Sequence, residues 1–371
     1  MWENFGPLHV DRCDAVATEL GGQIEVIGLE LAGKSNLYEW VPASGVRFKK
    51  ITIFEGTSLD QVPLAKRLFK TLLVCLSQGK DAHFFMCHYD HPMTFIVSSL
   101  LRLSGHRVYA MGCSKFDDYP RYLWREVLKT VFYFPYCGAI ASGTRSRDYM
   151  RFLGLAERDV KPNYNAVSLS RVLALAGSPP APEGLPYGDR HFVIVARFVP
   201  KKNLRTAIKA FALYAGRAEN PRSMHICGTG PLEDELKQQV RDAGIEHLVN
   251  FSGFLQSPEV FKTFSSSLAL VLPSIEEQFG NVIPEALGMG LPVIVSDNCG
   301  ARDLLVRTGV NGFVVEPDNH EGMALFMRML AEDESLWARM CRAAQQFAER
   351  ADAAHFAESA SALMKVSRWG R

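Results

Sequence analysis

At 371 residues the chain is long enough for two domains with full cores. Forty-one basic against forty acidic residues, a net charge of +1, give no basic excess of the kind nucleic-acid binding requires. The eight cysteines keep no regular spacing, and several (Cys75, Cys87, Cys227) lie in apolar runs. They read as small core residues in a reducing compartment, and zinc spacing is absent. No apolar stretch approaches the roughly twenty residues of a membrane span, and no secretory segment opens the chain. The expectation is a cytoplasmic protein, with peripheral contact to the inner face of a membrane left open.

In the first half, strand-like runs (Ile24 to Leu29, Phe48 to Ile53, His83 to Cys87, Arg107 to Met111, Gly138 to Ala141) alternate with helical ones (Val62 to Ser77, Thr94 to Ser104, Tyr122 to Val131). His88, Tyr89, Asp90 and His91 follow the third run and so lie at a strand exit. A metal on this His-x-x-His pair is not expected, because no third ligand is near. The loop after the fourth run is polar, with Ser114, Lys115, Asp117-Asp118 and Arg121. Residues 176–188 carry four prolines and three glycines, which no helix or central strand accommodates, so this stretch is a linker.

Beyond the linker the alternation repeats. The run His191 to Ala196 ends in Arg197; a short loop carries Lys201 and Lys202, and Asn203 stands as N-cap for the helix Leu204 to Tyr214. Two cations at a strand exit suit a diphosphate, Arg by its fork and Lys as a point charge. Met224 to Cys227 leads into Gly228-Thr-Gly230-Pro231 and a further helix; Glu233 occupies the place of the third glycine a dinucleotide turn would need. Val249 to Leu255 with Ser257-Pro-Glu is another strand and helix start. The apolar run Leu268 to Leu272 gives way to a polar loop with Glu277, then to a helix from about Asn281 bearing Glu285, then to Pro292 to Val295. This loop sits at the carboxyl end of a strand, where open α/β sheets bind ligands. Gly280 lets a ligand approach the backbone, and the amides of Asn281, Val282 and Ile283 would point out of the helix start toward an anion.

Glu277, seven residues, Glu285, with Phe-Gly between and Ala-Leu-Gly-Met-Gly-Leu-Pro-Val after, resembles the signature of family-four retaining glycosyltransferases. The Arg197 to Asn203 segment and the Gly228-Thr-Gly-Pro turn resemble that family at matching spacing, so the likeness runs from about Pro162 to about Asn319. It implies the GT-B architecture: two doubly wound Rossmann-like α/β domains facing a central cleft. The expected divisions are residues 1–175, the linker 176–188, a nucleotide-sugar domain 189–350, and a helix 351–371 crossing back to the first domain, within a helical stretch from Leu336 to Val366.

The resemblance further implies that Arg197 and Lys202 bind the donor's phosphates, Glu277 the donor sugar and Glu285 the ribose. It makes Gly6, in an opening turn whose preceding strand is missing, the point of close backbone approach. It places a polar residue of His88 to His91 near the reacting sugar, with His88 and Asp90 the catalytic candidates, and makes Ser114, Lys115 and Arg121 acceptor contacts; Asp117-Asp118 is not the Asp-x-Asp of metal-dependent transferases. The implied activity is metal-independent, cofactor-free transfer from a nucleotide-diphosphate sugar to a hydroxyl on a glycan, lipid-linked sugar or small molecule. The alternatives are a nucleotide-sugar 2-epimerase of the same architecture and a non-catalytic sugar-nucleotide-binding subunit. Asn163-Tyr-Asn-Ala-Val and Gln278 depart from the family's more usual residues, which bears on subgroup and donor preference.

Overall fold

The structure, a computed structural model, describes residues 1–34, 46–118 and 120–369, so the last two positions of the expected final helix lie outside it. It divides into two compact units, one of Met1–Ser168 with Ala353–Arg371 and the other of Leu169–Asp352.

In the first unit, β1 (Ile27–Ala32) pairs in parallel with β2 (Lys49–Phe54). The strands β3 (His83–Met86), β4 (Arg107–Gly112), β5 (Ala139–Ala141) and β6 (Val160–Lys161) form a second parallel set in that order. The strand that appeared to be missing is supplied by residues 1–3. Leu31 N donates to Trp2 O at 3.0 Å and Ala32 N to Glu3 O at 2.9 Å, while on the other side Cys87 N donates to Met1 O at 3.2 Å. Three residues are too few to show a period of two, yet they fill the gap between β1 and β3. The sheet therefore reads β2, β1, residues 1–3, β3, β4, β5, β6. Its chain order reverses between residues 1–3 and β3, which makes that gap the unit's topological switch point. The closing helix Ala353–Trp369 packs on the opening helix Pro7–Glu19 within this unit.

The second unit is a parallel sheet built from β7 (His191–Val195), β8 (Met224–Cys227), β9 (Val249–Gly253), β10 (Ser267–Leu272), β11 (Val293–Ser296) and β12 (Gly312–Val315). Its order is β12-β11-β10-β7-β8-β9. Every residue of β10 and of β11 is buried, as expected where helices cover both faces of a parallel sheet. Phe192, Ile194, Leu268 and Val271 are fully inaccessible, and each such side chain contributes about 1.5–3 kcal/mol of burial. The order reverses between β7 and β10, so the loops leaving these two strands flank this unit's switch point.

The boundary falls earlier than the linker suggested. Leu169–Ala176 is a helix of the second unit, packed on the helix Ser257–Ser265. Residues 181–185 are bolted to this unit rather than left as a loose connector. The buried Arg190 guanidinium donates to the carbonyls of Glu183 at 2.7 Å, Leu185 at 2.9 Å, and Ser265 and Ser267 at 3.1 Å. Gln345 Nε2 donates to Ala181 O at 2.6 Å, and a Cβ on Gly290 would lie 2.0 Å from that same oxygen. Of the expected terminal helices, Glu334–Ala348 stays with the second unit and only Ala353–Trp369 joins the first.

Candidate active site

At the second unit's switch point, Arg197 and the loop 198–203 leave β7 while residues 273–281 leave β10. Ile275 N donates to Lys201 O at 2.8 Å, which lays one loop against the other. Asn203 reinforces the junction. The sequence pointed to an N-cap, but the residue adopts a left-handed backbone (φ 55°, ψ 35°) and its side chain caps nothing in the helix. Its Nδ2 donates instead to Pro273 O at 3.0 Å and Pro317 O at 2.6 Å, while Thr206 Oγ1 donates to its Oδ1 at 2.9 Å. An amide with two donors and one acceptor can satisfy two distant carbonyls and a nearby hydroxyl at once, and the left-handed turn aims it at them.

That geometry brings Lys202 and Glu277 together. Lys202 Nζ donates to Glu277 Oε2 in an ion pair whose side chains keep 16% and 14% of their exposure. Ser274 Oγ donates to the same carboxylate oxygen at 3.3 Å. The Glu277 backbone is fixed from the β11 side, where Gly300 N donates to Glu277 O at 3.1 Å and Ala301 N to Phe279 O at 2.9 Å. Gly300 permits this approach, because a Cβ there would stand 1.9 Å from Gln278 O. Behind the carboxylate, burial and then the Glu277 charge push the Cys299 thiol up to about 12. Arg197 is exposed and, among the described residues, has no carboxylate partner. The structure thus holds one cation against Glu277 and leaves the other open to solvent.

Gly280 sits at φ 97°, a region side-chain-bearing residues rarely adopt, with its Cβ direction closed by Ile283, Glu277 and Leu272 at 3.1–3.3 Å. The following helix, Val282–Gly288, is short, and Ile283 N donates to Gly280 O at 2.9 Å. Of the three amides expected to face an anion, that of Ile283 is therefore already engaged. Glu285 lies in the first turn, half-buried.

Gly228 and Gly230 permit a close approach of two loops. A Cβ on Gly228 would meet Ala196 O at 1.9 Å, and one on Gly230 would meet Phe198 O at 2.6 Å. Phe198 N donates to Thr229 O at 2.9 Å and Leu232 N to Phe198 O at 3.2 Å. These glycines let the turn after β8 grip the backbone around Arg197. Asn203's bridging role and Gly300 went unread in the sequence; for Gly300 the available signal was a glycine in the loop four residues past the end of β11.

The first unit's candidates flank its own switch point. Gly6 precedes the helix Pro7–Glu19, and its amide donates to His9 Nδ1 at 3.0 Å, so the helix's own side chain satisfies it. His88 leaves β3 with φ 56° and is exposed, and the adjacent Cys87 sulfur raises it to about 9. His9, across the gap, is held well below the ordinary histidine value by burial and then by Arg12. Met1, Trp2, Glu3, Cys87, His88 and His91 help line a cavity of about 10 Å³ here, room for one water. Asp90 is exposed.

Tyr89 drops out as a substrate contact, since it is buried with its ring 4.6 Å from Tyr133. Lys115 and Arg121, expected as acceptor contacts, are spent inside the unit. Lys115 is 1% exposed, 3.3 Å from Asp117 and 3.4 Å from Asp118; Arg121 reaches Glu126 at 3.4 Å and Tyr149 OH at 3.0 Å.

Comparison with known proteins places this architecture. The structure of HepE from Anabaena in complex with UDP-glucose superposes with a TM-score of 0.72 at 18% identity, covering 99% of this chain and 97% of that one. The lipopolysaccharide outer core galactosyltransferase WaaB gives 0.70 at 17% identity, covering 99% and 98%. The fold is GT-B. In sequence, the poly(glycerol-phosphate) alpha-glucosyltransferase of Bacillus subtilis is 30% identical over 181 residues, 48% of this chain and 26% of that protein. The chain spans between 26% and 49% of the length of the first curated relatives it matches. Relatives named as transferases give the epimerase alternative no support. Residues 180–347, nearly the whole second unit with its Lys202–Glu277 pair, match the model of glycosyl transferases group 1.

Proposed function

We propose that the chain transfers a sugar from a nucleoside diphosphate sugar to a hydroxyl on a glycan, lipid-linked sugar or small molecule. In this reading the anomeric configuration is retained, no metal takes part, and the protein acts in the cytoplasm with peripheral contact to the membrane. The observation that carries it is the switch point of the second unit, where Lys202 meets Glu277 and Arg197 stands open at the exit of β7. A nucleoside diphosphate is the ligand that needs two cations at a strand exit and a carboxylate within reach of a sugar. Solved relatives support this: HepE is described with UDP and with UDP-glucose, and TarM with UDP and alpha-GlcNAc-glycerol.

In the reaction, the bond from the anomeric carbon to the diphosphate oxygen breaks and one to the acceptor oxygen forms on the same face. The acceptor proton goes to the departing phosphate. Negative charge grows on the diphosphate, and Arg197 at the β7 exit and Lys202 in the loop after it meet that charge. The backbone of Gly280, Asn281 and Val282 lies along the phosphates, with Gly228 holding the Arg197 loop. Glu277 positions the sugar, and once a donor draws Lys202 to its phosphates the carboxylate favours the cationic sugar carbon. Glu285 holds the ribose. Gly6, His88 and Asp90 are the first unit's candidates for the sugar and its acceptor.

The test separates the two glutamates. Glu285→Gln loses contacts to a part of the donor that does not react, so calorimetric titration with UDP should weaken and KM should rise with little change in kcat. Glu277→Gln should leave UDP binding intact and depress kcat and kcat/KM together. The opposite ordering, or activity abolished by EDTA and restored by a divalent cation, would overturn the reading.

A further inference from the structure

Among the described residues, the helices Leu64–Leu76, Pro92–Leu103 and Leu123–Tyr133 connect β2 to β3, β3 to β4 and β4 to β5. Each connection advances the same way along the sheet, so right-handed crossovers put all three on one side. They pack as a layer: the first two touch along their length, and Phe95 and Phe132 meet at 5.0 Å between the second and third. Their inner faces bury Cys75, Val97, Leu101 and Tyr133. The outer faces of such helices would ordinarily be polar.

These outer faces are apolar. On the first helix Phe69 is 67% exposed, with Leu64, Leu73 and Leu76 also in solvent; on the second Leu103 is 82% exposed, beside Leu100. The third exposes Leu123, Trp124, Val127, Leu128 and Val131, and Phe134 just past its end is 84% exposed. Single exposed apolar residues are ordinary, but a contiguous layer of them marks an interaction surface.

The charge on the layer narrows the partner. The three helices carry the cations Lys66, Arg67, Lys70, Arg102, Arg125 and Lys129 and a single carboxylate, Glu126. That carboxylate is buried and already paired with Lys129 at 2.9 Å, so the exposed charge is of one sign. A two-fold contact with a second copy would set this face against itself and bring like charges together. An interfacial surface has the reverse requirement: large apolar and aromatic side chains in the acyl boundary, with Lys and Arg reaching the headgroups along their stems.

We propose that this three-helix face is where the protein docks on an anionic lipid surface, lying on the membrane without entering its core as a span. No helix among the described residues is long and apolar enough to cross a membrane. The inference deepens the peripheral-membrane part of the proposed function by giving it a face and a lipid charge. Its test contains no sugar nucleotide, so its failure is distinguishable from failure of the transferase reading.

The full chain is sedimented with vesicles of phosphatidylcholine alone and of phosphatidylcholine with phosphatidylglycerol. It should pellet with the anionic vesicles, less so as salt rises, and little with the neutral ones. Phe69→Ser combined with Phe134→Ser should lower the partition at least about tenfold, since both rings leave the acyl boundary. Lys66→Ser combined with Arg102→Ser should lower it by about fivefold per cation and reduce the salt dependence. All four positions are exposed, and circular dichroism on both variants confirms that the fold is kept. Equal pelleting of the variants, no pelleting of the unaltered chain, or a dimer by analytical ultracentrifugation that the Phe variant dissolves would each overturn the proposal. The last outcome would make the face a contact between copies.

Discussion

Both units run the same strand and helix alternation and each has a switch point, but they use their charges in opposite ways. In the second unit, Lys202 and Glu277 meet at the mouth of the sheet and Arg197 remains open. In the first, Lys115, Arg121, Asp118 and Glu126 are drawn beneath the surface beside Tyr149 and largely neutralise one another. Buried pairs repay their desolvation only when their partners are complete. The first unit's charges therefore serve its own architecture, whereas the second keeps charge where a ligand can answer it.

The largest break in that comparison comes from removing the open cation. Arg197→Ala should lower kcat/KM by about 100- to 1000-fold, the 2.7–4 kcal/mol typical of one preorganised contact to developing charge. The melting temperature should hold, because the exposed guanidinium supports nothing in the fold. Lys202→Ala should lose a similar amount of activity and also strand the Glu277 carboxylate, half-shielded, without its cation. Turnover near that of the unaltered chain in either variant, measured with the preferred donor, would remove the switch point from the chemistry.

Asn203→Ala tests the junction rather than the charge. It deprives Pro273 O and Pro317 O of their donor and puts a residue without local polar compensation into a left-handed backbone. Unpaired buried acceptors cost about 1–3 kcal/mol, so a stability loss of about 3 kcal/mol in urea is expected, with nucleotide affinity falling alongside. If stability drops but nucleotide affinity does not, the two loops are placed independently of each other.

Much of the second unit was legible because its information is local. Fully buried parallel strands appear as unbroken apolar runs; Arg197 follows one such run directly, and Glu277, Gly280 and Glu285 lie in the loop and helix after another. Asn203 was misread because its partners lie 70 and 114 residues away, so a local cap was the only role its neighbours could suggest. Arg190 escaped notice for a similar reason, its contacts to the carbonyls of Glu183, Leu185, Ser265 and Ser267 being made by side-chain reach and not by spacing. In the first unit the central strand is three residues long, below any periodicity, and the His88 segment offered four polar candidates without a rule to rank them. Only packing removed Tyr89.

A pH titration sharpens the contrast from within the second unit's core. His191 stacks on His225 with ring centres 3.7 Å apart and shares a hydrogen bond with Ser267 Oγ at 3.1 Å. Burial, then the neighbouring His225 and Arg190, lowers it from 6.5 to about 3. The unfolded chain thus binds the extra proton between those values, and stability falls as pH drops through this window. At pH 5 the loss amounts to about 2 kcal/mol. His191→Leu should flatten that part of the stability profile relative to the unaltered chain. His88 has the opposite sign: raised to about 9 beside Cys87, its contribution is complete below 6.5 and fades as pH rises through 9. An identical acid slope in the His191 variant would mean that other groups carry the dependence.

The smallest expected effect separates two adjacent lysines. Lys201 and Lys202 are indistinguishable by composition, yet the structure uses opposite parts of them. Lys201 contributes its carbonyl, which accepts from Ile275 N at 2.8 Å, while its side chain is exposed at the surface. Lys202 contributes its ammonium. Truncating Lys201 to Ala leaves its carbonyl in place, so activity should change less than about twofold and stability by less than about 0.5 kcal/mol. If Lys201→Ala instead matched Lys202→Ala, the diphosphate would be drawing on the loop's total charge, as a screened field would. High salt would then equalise the two variants. If only Lys202→Ala is damaging and its defect persists in salt, the contact is a fixed one, made by the residue that Asn203 and the β10 loop hold in place.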